Sequence, residues 1–158
     1  MLDQPEFRSV MGHFATGVSI VTARDSQNAA VGMTANAVTS VSLRPLLLLV
    51  CVLRDSSSYG PIVQSGAYAV NVLRQDDEQL ARRFAREHPA KRFEGVDFRM
   101  ASTGSPVLTS ALAWVDCQIR EVHEAGDHSI IVGEVVDGGA FAGDPLVFFR
   151  GQFGGLAT

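Results

Sequence analysis

The chain has 158 residues, 46% of them hydrophobic and 19% charged, which is the size and balance of one domain with a substantial core. Thirteen Lys and Arg against 17 Asp and Glu leave a net charge of −4, which excludes a basic surface built for nucleic acid or anionic membrane. The two cysteines, Cys51 and Cys117, make no disulfide scaffold, and the start Met-Leu-Asp-Gln-Pro-Glu has neither a basic region nor an apolar signal core, so the expected location is cytoplasmic.

Phe7, Val10, Met11 and Phe14 recur at helical spacing and predict an amphipathic helix that packs on a sheet, weakened at Gly12 and ended by Gly17. Val18 to Ala23 is β-branched, Arg24 to Asn28 is a polar turn, and Ala29 to Ala35 returns, which predicts a hairpin. From Val31 to Ser58 the character changes. Thr34, Asn36, Thr39, Ser40 and Ser42 are short donors and acceptors set among Ala and Val, and Pro45 closes this part. The unbroken apolar run Leu46 to Leu53 follows and reads as a strand buried on both faces. Arg54 and the triplet Ser56-Ser57-Ser58 come next, placing a positive charge and a helix start at a strand end, as an anionic ligand group requires.

Ser56 or Ser57 is expected to cap a short helix carrying Tyr59, Ile62 and Val63, closed by Gly66. Ala67 to Leu73 is a further strand. Asp76 stands three before Gln79 as a variant capping box for a helix with Leu80, Ala81, Phe84 and Ala85 on one side, ended by Pro89. Lys91 to Gly95 is a loop, and Phe98 to Pro106 shows no period. From Ala111 to Val122 the pattern alternates, with Ala113, Val115, Cys117 and Ile119 facing one way and Asp116, Gln118 and Arg120 the other. Glu124 to His128 reads as a turn, Ser129 to Val136 as a strand, Asp137 to Asp144 as a Gly-rich turn region and Pro145 to Phe149 as the last strand. Roughly seven strands with short links, few able to hold a crossover helix, point to a mainly β fold: an antiparallel barrel with a few short helices around it, in one domain over residues 1–158.

No Cys or His pair has metal-ligand spacing, no Gly-x-Ser-x-Gly elbow occurs, and neither a Gly-x-Gly-x-x-Gly after a strand nor a Walker loop is present. Two features remain: the Thr34 to Ser58 stretch, and Gly126-Asp127-His128 at a strand entrance.

A set of motifs carries a family resemblance. These are Gly17-Val18-Ser19-Ile20-Val21-Thr22, Gly32-Met33-Thr34-Ala35-Asn36-Ala37, Ser40-Val41-Ser42-Leu43-Arg44-Pro45, Phe93-Glu94-Gly95-Val96, Gly126-Asp127-His128, Gly133-Glu134-Val135 and Pro145-Leu146. In this order, over nearly the whole chain, the sequence resembles the flavin reductase family, the small NAD(P)H:flavin reductases that serve two-component monooxygenases. Leu46 departs from a second proline and Phe153 from a tyrosine common among relatives. The resemblance implies an FMN-binding split barrel, usually a homodimer, that reduces FMN or FAD with NADH or NADPH and hands reduced flavin to a partner monooxygenase. It also implies site residues. Thr34, Ala35, Asn36, Ser40, Val41 and Ser42 would border the flavin ring and ribityl chain, and Cys51, Val52 and Arg54 would line the pocket. Ser56, Ser57 and Ser58 would lie at the phosphate end, and Phe93 with Arg92 would close over the cofactor. His128 would seat the nicotinamide, with Asp127 shaping its turn; no metal is implied. Two other readings stay open on the same barrel: an FMN-binding electron carrier, and a pyridoxamine-phosphate-oxidase-like enzyme.

Overall fold

The computed structural model describes residues 1–157. Helix α1 (Gln4–Gly12) starts from a capping box, with Asp3 accepting from the Glu6 amide and Glu6 reaching back to the Asp3 amide. It stops at Gly12 rather than Gly17, and its apolar stripe does not pack on the sheet: Phe7, Val10, Met11 and Phe14 are all exposed, Phe14 by 71%.

The strands are β1 (Thr16–Gly17), β2 (Ser19–Arg24), β3 (Ala30–Ala35), β4 (Val38–Leu43), β5 (Leu46–Leu53), β6 (Ala67–Val72), β7 (Phe98–Met100), β8 (Pro106–Leu108), β9 (Ala113–Ala125), β10 (His128–Ala140), β11 (Val147–Phe149) and β12 (Gln152–Gly154). Seven of them form one antiparallel sheet in the order β3-β2-β6-β9-β10-β5-β4. Its two edge strands, β3 and β4, are consecutive in the chain and joined only by Asn36 and Ala37. So short a link forces the edges back beside each other, which curls the sheet into a barrel. No ladder closes the seam between β3 and β4, and the barrel is split there. The strands β1-β11-β12 make a second sheet and β7-β8 a small third one.

The barrel core gathers Val21, Val50, Val52, Ile62, Tyr68, Val70, Cys117 and Ile131. A second cluster under helix α3 (Glu78–Arg86) joins Ile20, Leu73, Ala81, Phe84 and Leu146. Burial drives the Cys117 thiol up to about 12, and it raises the Tyr68 phenol as well, so both stay neutral. Gly133 admits the Tyr68 ring: a Cβ there would come within 2.7 Å of Tyr68 Oη and 2.8 Å of Cys117 Cβ.

Several sequence expectations are corrected. Strand β4 was not anticipated, because its exposed Thr39 and Ser40 and half-buried Ser42 resemble a loop. Strand β5 is fully buried on one face only: Val50 and Val52 are inaccessible, whereas on the opposite face Leu47, Leu49 and Cys51 are half-buried and Leu53 is exposed. Asp116 lies on the side of β9 that the alternation predicts but is fully buried there, and its carboxylate accepts from the Thr103 amide at 2.9 Å and from the Thr103 hydroxyl. The hairpin β9-β10 is longer than its pattern, with a tip of only Gly126 and Asp127, and Asp137 to Ala140 continues β10. Its glycines serve packing there, since a Cβ on Gly139 would lie 2.8 Å from Trp114 Nε1. Phe98 to Leu108 holds the β7-β8 pair. Helix α2 (Tyr59–Ser65) begins after Ser58, not Ser56 or Ser57, and Ser58 makes no side-chain cap; Gly66 does close it, at φ 70°. Ahead of α3, Asp77 rather than Asp76 accepts a backbone bond, from the Arg74 amide.

Candidate functional site

The seam of the split barrel is where the polar segment lies. Asn36 and Ala37, the link between the edge strands, line a cleft of about 650 Å³ together with Met11, Phe14, Thr39 and Cys51. That volume suits a small-molecule cofactor. Its walls are mostly apolar. Within it the Thr16 hydroxyl is buried and has no hydrogen-bond partner, the kind of group a bound ligand would satisfy. Thr34, Ala35 and Asn36 line a neighbouring cavity of about 280 Å³, walled by Arg82, Arg86, Phe148 and Phe153. Arg82 stacks over the Phe153 ring at 4.9 Å. Asn36 belongs to both spaces, and its exposed amide is free to present donors and acceptors to either. A flat heterocycle with a polar edge fits these surroundings: apolar walls for its faces, and small hydroxyl and amide groups for its rim.

The expected site residues separate into several groups. Thr34 turns its hydroxyl away, donating to the Ala81 carbonyl at 2.6 Å and tying β3 to α3. Ser40 and Val41 stand exposed on the edge strand β4, and the Ser42 hydroxyl accepts from the Arg44 amide in the β4-β5 turn. Cys51 lines the large cleft, and burial raises its thiol, so it is a neutral wall and not a thiolate nucleophile. Val52 is corrected: with no accessible surface it belongs to the core and cannot touch a ligand.

Ser57 is exposed, while the Ser56 hydroxyl is buried and unpartnered. Ser58 is buried and donates to the Gly32 carbonyl at 3.2 Å. Arg92 reaches the same place: its Nη1 donates to the Gly32 carbonyl at 2.8 Å and to Ser58 Oγ at 3.4 Å, and its Nε to the Glu87 carbonyl at 3.0 Å. Partial burial lowers the Arg92 guanidinium from its usual range. Phe93 does not hang over a cleft. Its ring packs edge-on against Phe84 at 4.9 Å and Phe98 at 5.3 Å, which anchors the Lys91–Gly95 loop to the core.

Arg54, Asp127 and His128 come together at the tip of the β9-β10 hairpin. The Arg54 amide donates to the Asp127 carbonyl at 3.0 Å, and its guanidinium bonds the Gly126 carbonyl and pairs with Glu124 at 3.1 Å. Asp127 Oδ1 lies 2.7 Å from His128 Nδ1. That hydrogen bond, and then the charges of His128 and Arg54, hold the exposed Asp127 carboxyl below the usual carboxylate range. An ionised carboxylate only accepts, so Nδ1 carries the proton of that bond, and Nε2 makes no hydrogen bond among the described residues. His128 pairs across the ladder with Leu53, and Ile130 with Cys51. Opposed residues share a sheet face, so His128 continues the face that carries Cys51 into the cleft.

Thr16, Met11 and Phe14 at the cleft, and Arg82, Arg86 and Phe148 beside it, were not expected there. The sequence carries no signal for Thr16; only the folded β1 brings it to the seam. Among the described residues no group of three or more His, Cys, Asp or Glu could hold a metal ion. Nor is any helix of the described residues long and apolar enough to cross a membrane.

A split antiparallel barrel with a mostly apolar cleft at its seam has the room and the walls for a flat organic cofactor. The chain belongs to the flavin reductase like domain family, whose model matches residues 11–157. It is 39% identical over 158 residues to a flavin reductase of Pseudomonas putida, covering 99% of this chain and 92% of that protein. It is 38% identical to the reductase subunit HsaB of a flavin-dependent monooxygenase of Rhodococcus jostii (strain RHA1), covering 98% of this chain and 79% of that one. The solved structure of Streptomyces globisporus C-1027 NADH:FAD oxidoreductase SgcE6 with NAD and FAD fragments superposes with a TM-score of 0.91 at 37% identity, over 98% of this chain and 93% of that one. Some relatives are longer: the chain spans 43% of one from Rhizobium meliloti (strain 1021).

Proposed function

We propose that the protein is an NADH-dependent flavin reductase that delivers reduced flavin to a partner monooxygenase. The observation that carries this reading is the coincidence of the family segment Thr34 to Ala37 with the cofactor-sized cleft at the barrel seam. Bound flavin supplies the acceptor for the hydride of a nicotinamide, and the protein's part is placement. The apolar wall formed by Met11, Phe14 and Cys51 would lie along the ring faces and keep water from them once the cleft is closed. Thr16 and Asn36 offer hydrogen bonds to its edge, while the Ser56 hydroxyl and the Ser58-Arg92 pair are candidates for the phosphate end. His128, with Nδ1 fixed by Asp127, offers Nε2 to the nicotinamide side. No protein nucleophile is needed.

Homodimerisation belongs to the same proposal. Met11 and Phe14 line the cleft while the rest of the α1 stripe, Phe7 and Val10, stands in solvent. A second copy seated on α1 would bury that stripe and close the cleft in one step. The expected sedimentation species is a dimer; a monomer at micromolar concentration with flavin bound would contradict it. Two free thiols and a supply role beside an oxygenase support a cytoplasmic location. Activity is tested by NADH and NADPH oxidation with and without FMN or FAD. Consumption that rises with added flavin is expected, whereas flavin binding with no consumption would favour the electron-carrier reading.

A further inference from the structure

We infer that Arg54 is a positioning residue: it straps the tip of the β9-β10 hairpin and thereby sets His128 against the nicotinamide, instead of holding a flavin phosphate. This rests on the reading of the protein as an NADH-dependent flavin reductase. Three separate links run from Arg54 into four consecutive residues. Its backbone N–H donates to the Asp127 carbonyl, its Nη2 donates to the Gly126 carbonyl, and its Nη1 faces Glu124 Oε2 at 3.1 Å. The Glu124 link is a solvent-exposed ion pair and holds little on its own. The two carbonyl bonds matter more, because they fix the peptide planes on either side of Asp127, the residue whose carboxylate holds the His128 ring.

The tip lies outside the strand ladders. It is a two-residue turn beyond the last ladder pairs, Ala125 with His128 and Leu53 with His128. His128 is the first residue after it, and its ring is held by Asp127, a residue of the tip itself. Any rocking of the Gly126-Asp127 peptide therefore moves the acceptor that orients the imidazole. Arg54 is also the first residue after β5, the strand that carries Cys51 along the cleft wall. One side chain thus references the hairpin tip to the cofactor cleft. A guanidinium can do this because it offers donors in a fixed planar fork; a lysine would keep the charge and lose the fork.

The test compares Arg54→Ala and Arg54→Lys with wild type in the full-length protein. Hydrogen exchange across residues 124–129 should quicken in both variants. The NADH concentration that half-saturates flavin reduction should rise by about tenfold in Arg54→Ala, with little recovery in Arg54→Lys, because small misplacements of reacting groups are costly. The dissociation constant for oxidised FMN should stay within about twofold of wild type, as expected where no bond to the ligand is lost. In a His128→Ala background, Arg54→Ala should add almost nothing, which separates positioning of His128 from general loosening. Weakened flavin binding with unchanged NADH saturation, full recovery by lysine, or an additive double variant would each overturn the inference, as would unchanged exchange at the tip. If wild type itself reduces no flavin, the nicotinamide assignment fails with the proposed function, while faster exchange in Arg54→Ala still upholds the strap and unchanged exchange still refutes it.

Discussion

Replacing His128 by alanine is expected to raise the half-saturating NADH concentration and slow flavin reduction by about ten- to a hundredfold, with oxidised-flavin affinity nearly unchanged. The imidazole is half-exposed at the start of β10 and shares a sheet face with Cys51, which lines the cleft. Its Nδ1 is committed to Asp127 at 2.7 Å, so Nε2 is the atom left for a ligand. A loss confined to binding would raise the Michaelis constant alone, and a loss of alignment would lower turnover too. Alignment loss is expected because Asp127 fixes the ring direction. A solvated turn histidine with no ligand role would give wild-type reduction rates and saturation in stopped-flow measurements.

Phe84→Ala is expected to cost about 3 to 5 kcal/mol of stability, the range for emptying a fully buried aromatic site. Phe84 has no accessible surface and packs edge-on against Phe93. Its ring also lies against Gly32, where a Cβ would come 3.1 Å from Phe84 Cε1. The side chain therefore joins α3, β3 and the Lys91–Gly95 loop, and a loss of this size is a large part of a marginal folding free energy. The effect should reach the cleft as well, since Thr34 on β3 is tied to Ala81 on α3. Urea unfolding should show a lower midpoint at unchanged slope, with weaker flavin binding. A shift below about 1 kcal/mol would mean that the cluster under α3 repacks freely.

The strands with a buried apolar face were legible in the sequence. Leu46 to Leu53 matches β5 residue for residue, and the β2-β3 hairpin lies within one residue of its reading, with Arg24 paired to Ala30 in the ladder and not in the turn. What escaped has identifiable physical causes. An edge strand such as β4 needs no apolar face, so its Thr and Ser read as a loop. Asp116 is polar yet fully buried because Thr103, distant in the pattern, satisfies it. Gly138 and Gly139 read as turn residues, yet they make room for Trp114 within a strand. The α1 stripe looked like a core face and is exposed, since periodicity reports an apolar face and not what covers it.

The site was legible only in part. Residues 34–36 and Cys51, which the family resemblance gives to the flavin, line the cavities at the seam because they surround the link between the two edge strands. Val52 does not, because strand alternation sends it inward between Cys51 and Leu53. Arg54 follows a strand end, as an anion site requires, but its donors are spent on the hairpin tip, a partner far away in sequence. Thr16 could be found only from the fold, since a lone threonine becomes notable through being buried without a partner.

The most direct test of the central claim is anaerobic mixing of the purified protein and flavin with NADH, followed by the visible absorbance of oxidised flavin. The account predicts bleaching whose rate rises with protein concentration and saturates with NADH. Stable absorbance with both FMN and FAD, and with both NADH and NADPH, in protein that demonstrably binds the flavin would contradict it.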